Sequence, residues 1–164
     1  MLRGVEQALL IVWHSRTGGT EELARAAWQG ATGRARLLQA SMVNPDDLLA
    51  AQGYLFACPE NLGSMSGEMK EMFDRCYYPV LGLVEGRPYA TIISAGSDGQ
   101  GAQRQIDRIA TGWRLKRVAE PIIIAFHAQT AAAILARKTA TADAIGQCRD
   151  LGATMAEGIA MGVL

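Results

Sequence analysis

The stretch Ser15-Arg16-Thr17-Gly18-Gly19-Thr20 decides the interpretation of the fold, because it joins an apolar run at 8–13 to an amphipathic segment that begins at Glu21. This order predicts a buried strand, a short loop and a helix. The hydroxyls of the serine and the two threonines can donate to phosphate oxygens, and the glycines let backbone N–H groups approach closely. A helix N-terminus adds favourable positive potential. We therefore interpret the loop as a phosphate site.

Two common nucleotide sites do not match this loop. It lacks the lysine with which a P-loop reaches the outer phosphates of a nucleoside triphosphate, and it lacks the G-x-G-x-x-G pattern of dinucleotide sites. Arg16 occupies the variable position, where it either offsets phosphate charge or points into water. The plain alternative is an ordinary polar turn, which the position between a buried strand and a helix disfavours.

Composition limits the classes of function. The 164 residues suit a single domain over 1–164, and 16 basic residues balance 16 acidic ones without a basic stripe. This balance argues against nucleic acid and anionic membranes as partners, and it also disfavours a strongly acidic electron shuttle. No apolar run is long enough for a membrane span, and no cleavable signal pattern is visible. Three cysteines in apolar contexts, Cys58, Cys76 and Cys148, indicate reduced thiols and a cytoplasmic location.

Apolar runs alternate with helical segments along the chain, which is typical of an α/β protein with a parallel sheet covered on both faces. Strands are predicted at 8–13, 35–40, 54–58, 89–94 and 121–126. Helices are predicted at 21–29, 44–51, 67–77, 101–111 and 142–161, with Pro79 expected to stop the third. The Ala-rich segment 127–141 fits either a partial helix or a loop.

Two stretches resemble a known family. The loop at 15–20 is similar, residue for residue, to the S/T-x-T-G-x-T loop with which flavodoxins and flavodoxin-like reductases bind the phosphate of FMN. The segment PENLGSMSGEMKEMFDR at 59–75 resembles the corresponding segment of NAD(P)H-dependent FMN and quinone reductases with the flavodoxin fold. The resemblance implies a flavodoxin-like three-layer sandwich with a five-stranded parallel sheet in the order 2-1-3-4-5.

Ligands of such sheets bind at the carboxyl ends of the strands, where the winding direction reverses. The loops after the first, third and fourth strands are therefore the candidate site, and the resemblance implies that they hold FMN. The implied binding residues are Ser15, Arg16, Thr17, Gly18, Gly19 and Thr20 at the phosphate, Pro59, Glu60, Asn61, Leu62 and Gly63 at the ring edge, and Ser94, Ala95, Gly96, Ser97 and Gly99 along the pyrimidine side.

The second loop departs from the family, which commonly carries Tyr or Trp there to stack on the flavin. This chain has Glu60, Asn61 and Leu62, and we expect Leu62 to pack on the ring instead. In the third loop, backbone N–H groups and the following helix N-terminus are expected to stabilise negative charge on the reduced flavin.

The resemblance implies an FMN-dependent oxidoreductase that takes a hydride from NAD(P)H and passes electrons to a small acceptor such as a quinone, with no catalytic side chain and no metal. A homodimer is expected by analogy. Two alternatives stay open: an electron-transfer flavodoxin without direct use of nicotinamide, and an FMN-free binding module. A signalling receiver domain is disfavoured, because Trp13, His14 and Cys58 stand where that class needs acidic residues.

Overall fold

The structure, a computed structural model, describes residues 7–164. The N-terminal residues 1–6, on which the expectation of no cleavable signal partly rests, lie outside the described residues. The strands are β1 (Leu9–Trp13), β2 (Ala35–Gln39), β3 (Gly53–Asn61), β4 (Ser64–Met65), β5 (Pro88–Ala95), β6 (Lys116–Arg117) and β7 (Ile122–Ala125). The helices are α1 (Gly19–Gly30), α2 (Pro45–Ala50), α3 (Gly67–Val80), α4 (Gln100–Gly112), α5 (Ala131–Leu135) and α6 (Ala142–Met161).

The main sheet is parallel and runs in the order β2-β1-β3-β5-β6, with β7 also paired to β5. This confirms the α/β class and the flavodoxin-like strand order. The strand count differs, since the sheet has seven strands rather than five. One extra strand is β4, which forms a short antiparallel hairpin with the end of β3.

The other extra strand arises because the fifth position of the sheet is shared by β6 and β7. Val118 still donates its backbone N–H to the carbonyl of Tyr89 on β5 at 3.1 Å. Between the pairs Tyr89–Arg117 and Ile92–Ile122, the last strand has two more residues than β5, so the ladder is interrupted after Val118 and resumes at Ile122. Pro121, which has no N–H to donate, lies in this interruption.

The alternation of side chains along β1 separates two cores. Leu10 and Val12 belong to the cluster under α3 and α4, whereas Leu9 and Ile11 belong to the cluster under α1 and α6. All four are essentially unexposed. The two apolar layers bury β1 between β2 and β3 in the interior of the sheet and so place the loop at its carboxyl end.

The third helix corrects one expectation. It continues through Pro79 to Val80, so the prediction that Pro79 would stop it is wrong. Pro79 lies in the last turn, where its missing N–H and its ring disturb few helix bonds. Val80 is completely buried in the core, and this burial offsets the local cost.

No helix among residues 7–164 is long and apolar enough to span a membrane.

Candidate functional site

The loops after β1, β3 and β5 meet at one edge of the sheet and enclose a cleft with a cavity volume of about 280 Å³. All of the predicted site residues except Gly18 and Gly99 line it: Ser15, Arg16, Thr17, Gly19, Thr20, Pro59, Glu60, Asn61, Leu62, Gly63, Ser94, Ala95, Gly96 and Ser97. Four further residues complete the lining, namely Phe126, Ala128, Ile134 and Lys138. The structure thus brings the predicted loops together, and their role in binding stays a prediction.

Gly18 does not line the cleft but sets the backbone conformation of the first loop. It adopts the left-handed conformation, with φ of 95°, as the N-cap of α1, and it donates its N–H to the Ser15 hydroxyl oxygen at 3.1 Å. This bond uses the Gly18 donor within the loop. It leaves the hydrogen of the Ser15 hydroxyl available to a ligand.

The N-terminus of α1 opens into the cleft. Its first two residues, Gly19 and Thr20, line the cavity, and no side chain of the described residues caps the helix. The first N–H groups of a helix have no acceptor within the helix and carry the positive end of its dipole. A 12-residue helix in this position can therefore bind an anion.

Two buried hydroxyls connect the first loop to the third. The hydroxyls of Thr20 and Ser94 form a short hydrogen bond, and both residues are more than nine-tenths buried. Each hydroxyl can still donate or accept one further bond. The Thr17 hydroxyl, in contrast, has no partner among residues 7–164, so it is free to donate to a ligand.

The chain segment 136–140, here called the strap, lies along the loop at 15–20, which is called the phosphate loop below after its predicted role. The Lys138 N–H donates to the Thr17 carbonyl at 2.7 Å, and the Ala140 N–H donates to the Glu22 carboxylate at 2.8 Å. Together with the Ser15–Gly18 bond, the first contact fixes the peptide between Thr17 and Gly18 on both sides. The strap thus holds the loop in one conformation.

The Lys138 side chain holds the strap to α5. Its ammonium group donates to the carbonyls of Ala133, Ile134 and Ala136 at 2.7, 3.0 and 2.6 Å. These carbonyls lie at the C-terminal end of a short helix, where they accept no N–H from within the helix. This end is therefore favourable for a cation. The segment whose conformation the sequence left open is therefore a short helix followed by an anchored strap.

Phe126 places an aromatic ring at the cleft, although the sequence analysis assigned this residue only to the last strand. A Cβ atom placed on Gly19 would lie 2.8 Å from the ring, so the ring packs on the loop only because this residue is a glycine. Gly96 is required in a similar way, since a Cβ there would lie 2.6 Å from the carbonyl oxygen of Ala128.

The second loop is a tight hairpin turn. Leu62 and Gly63 both have positive φ, at 53° and 76°, between the paired residues Asn61 and Ser64. This is the signature of a type I′ turn, in which Gly and Asn are the usual central residues. Leu62 is fully exposed at the tip of the turn.

The Glu60 carboxylate caps α4 from the second loop. It accepts the backbone N–H groups of Gly99 at 2.9 Å and Ala102 at 3.1 Å. The expectation that this helix N-terminus would stabilise charge on a ligand fails for these two donors, because the protein's own carboxylate occupies them. The Gln105 amide oxygen adds a second connection by accepting the Met65 N–H at 2.9 Å.

His14 follows β1 but does not line the cleft. Burial lowers its pKa, and the nearby Glu68 carboxylate, 3.4 Å from its Nε2, only partly opposes this effect. The three cysteines are buried, and burial raises the pKa of Cys58 and of Cys148 to about 12. These thiols are therefore structural rather than nucleophilic.

Comparison with known proteins agrees with this geometry. The sequence model of the family described as NADPH-dependent FMN reductase matches residues 45–130. A flavodoxin from Aquifex aeolicus (strain VF5) is 29% identical over 97 residues, which cover 57% of this chain and 52% of that protein. The match thus spans about half the length of the curated relative.

Solved structures show the same fold. An archaeal flavodoxin has a TM-score of 0.76 at 18% identity, with 93% of this chain and 98% of that chain covered. A WrbA-like flavodoxin from Agrobacterium tumefaciens has a TM-score of 0.68 at 16% identity and covers 95% and 98%. The flavodiiron protein of Giardia intestinalis has a TM-score of 0.73 at 18% identity, with 96% of this chain and 37% of that chain covered.

Proposed function

Because the chain belongs to the NADPH-dependent FMN reductase family, we propose that it binds FMN in the cleft and transfers electrons from NAD(P)H through the flavin to a small acceptor such as a quinone. The phosphate lies at the N-terminus of α1 in this proposal, and the ring lies between the second and third loops.

One observation carries the proposal: the N-terminus of α1 lines the cleft, whereas the N-terminus of α4 lies outside the lining and is bonded to Glu60, a residue of the lining. The Glu60 carboxylate occupies two N–H groups at the N-terminus of α4, whereas no side chain of residues 7–164 caps the N-terminus of α1. An anionic group entering the cleft is therefore attracted to α1 and repelled from α4. This asymmetry supports one orientation for a molecule with a single phosphate and a flat neutral ring.

The loop at α1 contains the donors that a phosphate needs. The Thr17 hydroxyl is unpaired within residues 7–164, the Ser15 hydroxyl has its hydrogen free, and Arg16 makes no ion pair there. Hydrogen bonds to a charged acceptor are stronger than those between neutral groups. These side chains would hold the phosphate, while the strap keeps the loop in place.

FMN, when bound, supplies the chemistry by accepting a hydride from the nicotinamide and releasing two electrons to the acceptor. The residues of this chain bind and orient it. Phe126 and Ala128 close one side of the cleft, and the hairpin turn held by Glu60 forms another. No side-chain acid or base is needed for the hydride step.

A second candidate is an electron-transfer flavodoxin. The curated relative and the archaeal structure both carry that name, and their fold is shared. Against it, this chain has balanced charges, whereas docking of an electron shuttle on a protein partner benefits from strong charge complementarity.

Anaerobic mixing of the FMN-loaded protein with NADPH or NADH tests the proposal. A reductase is expected to lose its visible flavin absorbance within seconds with at least one nicotinamide. Retention of the full absorbance with both, in a protein that dithionite reduces, would favour the electron-transfer flavodoxin.

A further inference from the structure

The tip of the second loop carries a residue that costs stability where it stands. Leu62 has φ of 53°, a conformation in which Leu is strained, and its side chain is fully exposed to solvent. Asn or Gly would relieve both costs at the same position. An unfavourable residue at a cleft points to a role in function rather than in folding.

The turn that carries Leu62 is held in place by α4. The hairpin that presents it is fixed to α4 by the Glu60 carboxylate and by Gln105, and a Cβ on Gly101 would lie only 2.0 Å from the Gly63 carbonyl oxygen. The backbone of the turn and that of α4 are thus in close contact. The backbone that presents the Leu62 side chain at the cleft is therefore held in place.

A second exposed aliphatic side chain lines the same cleft from another element. Ile134 belongs to α5 and is 50% exposed, and Lys138 holds the end of that helix through three carbonyls. Leu62 and Ile134 therefore provide apolar surface from two separately anchored walls. Exposed apolar surface on a concave site is typical of a place where a ligand is bound.

The charged groups of the cleft are unavailable at this apolar rim. Glu60 is bonded to two backbone N–H groups, and the Lys138 ammonium is bonded to three carbonyl oxygens. Among residues 7–164, Arg16 is the remaining charged side chain that lines the cleft, and it belongs to the loop after β1. Apart from Arg16, a charged electron acceptor finds no free counter-charge among these lining residues.

We propose that Leu62 and Ile134 determine acceptor specificity by holding an uncharged ring compound against the cleft. This inference rests on the proposed function and assigns to it two specificity residues. In the overall reaction, NADPH, one proton from water and a quinone give NADP⁺ and a hydroquinone, so the two electrons of the hydride reduce the acceptor and its oxygens gain two protons.

The test compares an uncharged acceptor, menadione, with a charged one, ferricyanide, in the FMN-loaded protein at equal flavin content. We expect Leu62→Asn to lower the ratio of kcat/KM for menadione to that for ferricyanide about tenfold, as loss of a buried aliphatic contact would do. Ile134→Asn is expected to act in the same direction. Leu135→Asn is the matched control, because Leu135 is 63% exposed on the same helix and does not line the cleft.

The thermal stability of the variant provides a second readout, which should increase while the activity ratio decreases. In the FMN-free protein, Leu62→Asn should raise the unfolding temperature by about 2 °C, since it relieves backbone strain. A lower unfolding temperature would show that Leu62 serves the fold and would overturn the inference.

An unchanged acceptor ratio in Leu62→Asn would also overturn it, even with weaker FMN binding, because Leu62 would then contact the flavin alone. If the unmodified protein is not reduced by either nicotinamide, the proposed function fails first and the inference with it.

Discussion

The Glu60 carboxylate at the end of β3 accepts the backbone N–H of Gly99, the N-cap of α4, at 2.9 Å. With the Ala102 N–H as its second donor, one side chain fastens the hairpin turn to a helix and occupies two N–H groups at that helix N-terminus. The placement that we propose for a phosphate rests on this contact as well as on the loop after β1.

Replacement of Glu60 by Ala should lower the free energy of unfolding by about 1–2 kcal/mol, the range for loss of a helix cap. Gln should restore part of this loss, because its amide oxygen can still accept one of the two N–H groups. Glu157→Ala, at an exposed position on α6, is the control and should have little effect. Urea unfolding monitored by circular dichroism gives the values, and equal effects of Glu60→Ala and Glu157→Ala would contradict the capping role.

Replacement of Thr17 by Ala removes a hydroxyl that has no protein partner among residues 7–164. FMN affinity should fall tenfold or more, as expected for loss of a hydrogen bond to a charged acceptor, while riboflavin affinity should hardly change. Arg16→Ala should cost less, since Arg16 is exposed and screened by solvent. Thr154→Ala, on the exposed side of α6, is the control for fluorescence titrations. A larger loss for Arg16→Ala than for Thr17→Ala would be inconsistent with this account of the loop.

Helix α1, which begins at the phosphate loop, packs closely against α6. A Cβ on Gly152 would lie 1.9 Å from the Ala27 carbonyl oxygen, so Gly152→Ala should destabilise the protein by about 2–3 kcal/mol. For Gly146, on the same helix, no atom of the described residues outside the local helix backbone lies within 4 Å of the Cβ position. Gly146→Ala should therefore stabilise by about 0.5–1 kcal/mol through helix propensity. Thermal unfolding of both variants checks the pair, and shifts of the same sign would refute the packing argument.

Burial of the cysteines predicts how stability depends on pH. Burial raises the pKa of Cys58 and of Cys148 from 9.0 to about 12, so the unfolded chain loses these protons at lower pH than the folded protein does. Their contribution to stability is complete below the unfolded pKa and is lost as pH rises from 9 to about 12.

The free energy of unfolding in urea should accordingly decrease through this window, and Cys58→Ala should make the decrease shallower. At neutral pH a thiol reagent should react slowly with the folded protein and rapidly in urea. Rapid labelling of the folded protein would disprove the burial of these thiols.

The sequence predicts best what is encoded locally. The apolar run of β1, the glycines of the phosphate loop and the periodicity of α6 lie within short windows, and the order of the main strands follows from their alternation with helices. The split of the last strand was not foreseen, because the two extra residues that interrupt its pairing with β5 are visible only in the register of the sheet. The end of α3 was also missed. Pro79 alone predicts that the helix stops there, but the burial of Val80 extends it by one further residue.

The parts of the site that could not be predicted depend on contacts between distant residues. Lys138 reaches the Thr17 carbonyl across more than a hundred residues, and nothing in the composition around it indicates this contact. Glu60 resembles any exposed glutamate until the fold places α4 beside it. The threonine before α5, Thr130, is the exception, because it is a recognisable N-cap that could have located this helix.

The most direct test of the central claim is a parallel titration of the flavin-free protein with FMN and with riboflavin, followed by quenching of flavin fluorescence. If the open N-terminus of α1 and the hydroxyls of its loop hold the phosphate, FMN should bind with a dissociation constant of about 1 µM or lower and at least tenfold more tightly than riboflavin. Equal affinity for the two flavins, or binding of neither, would contradict the account.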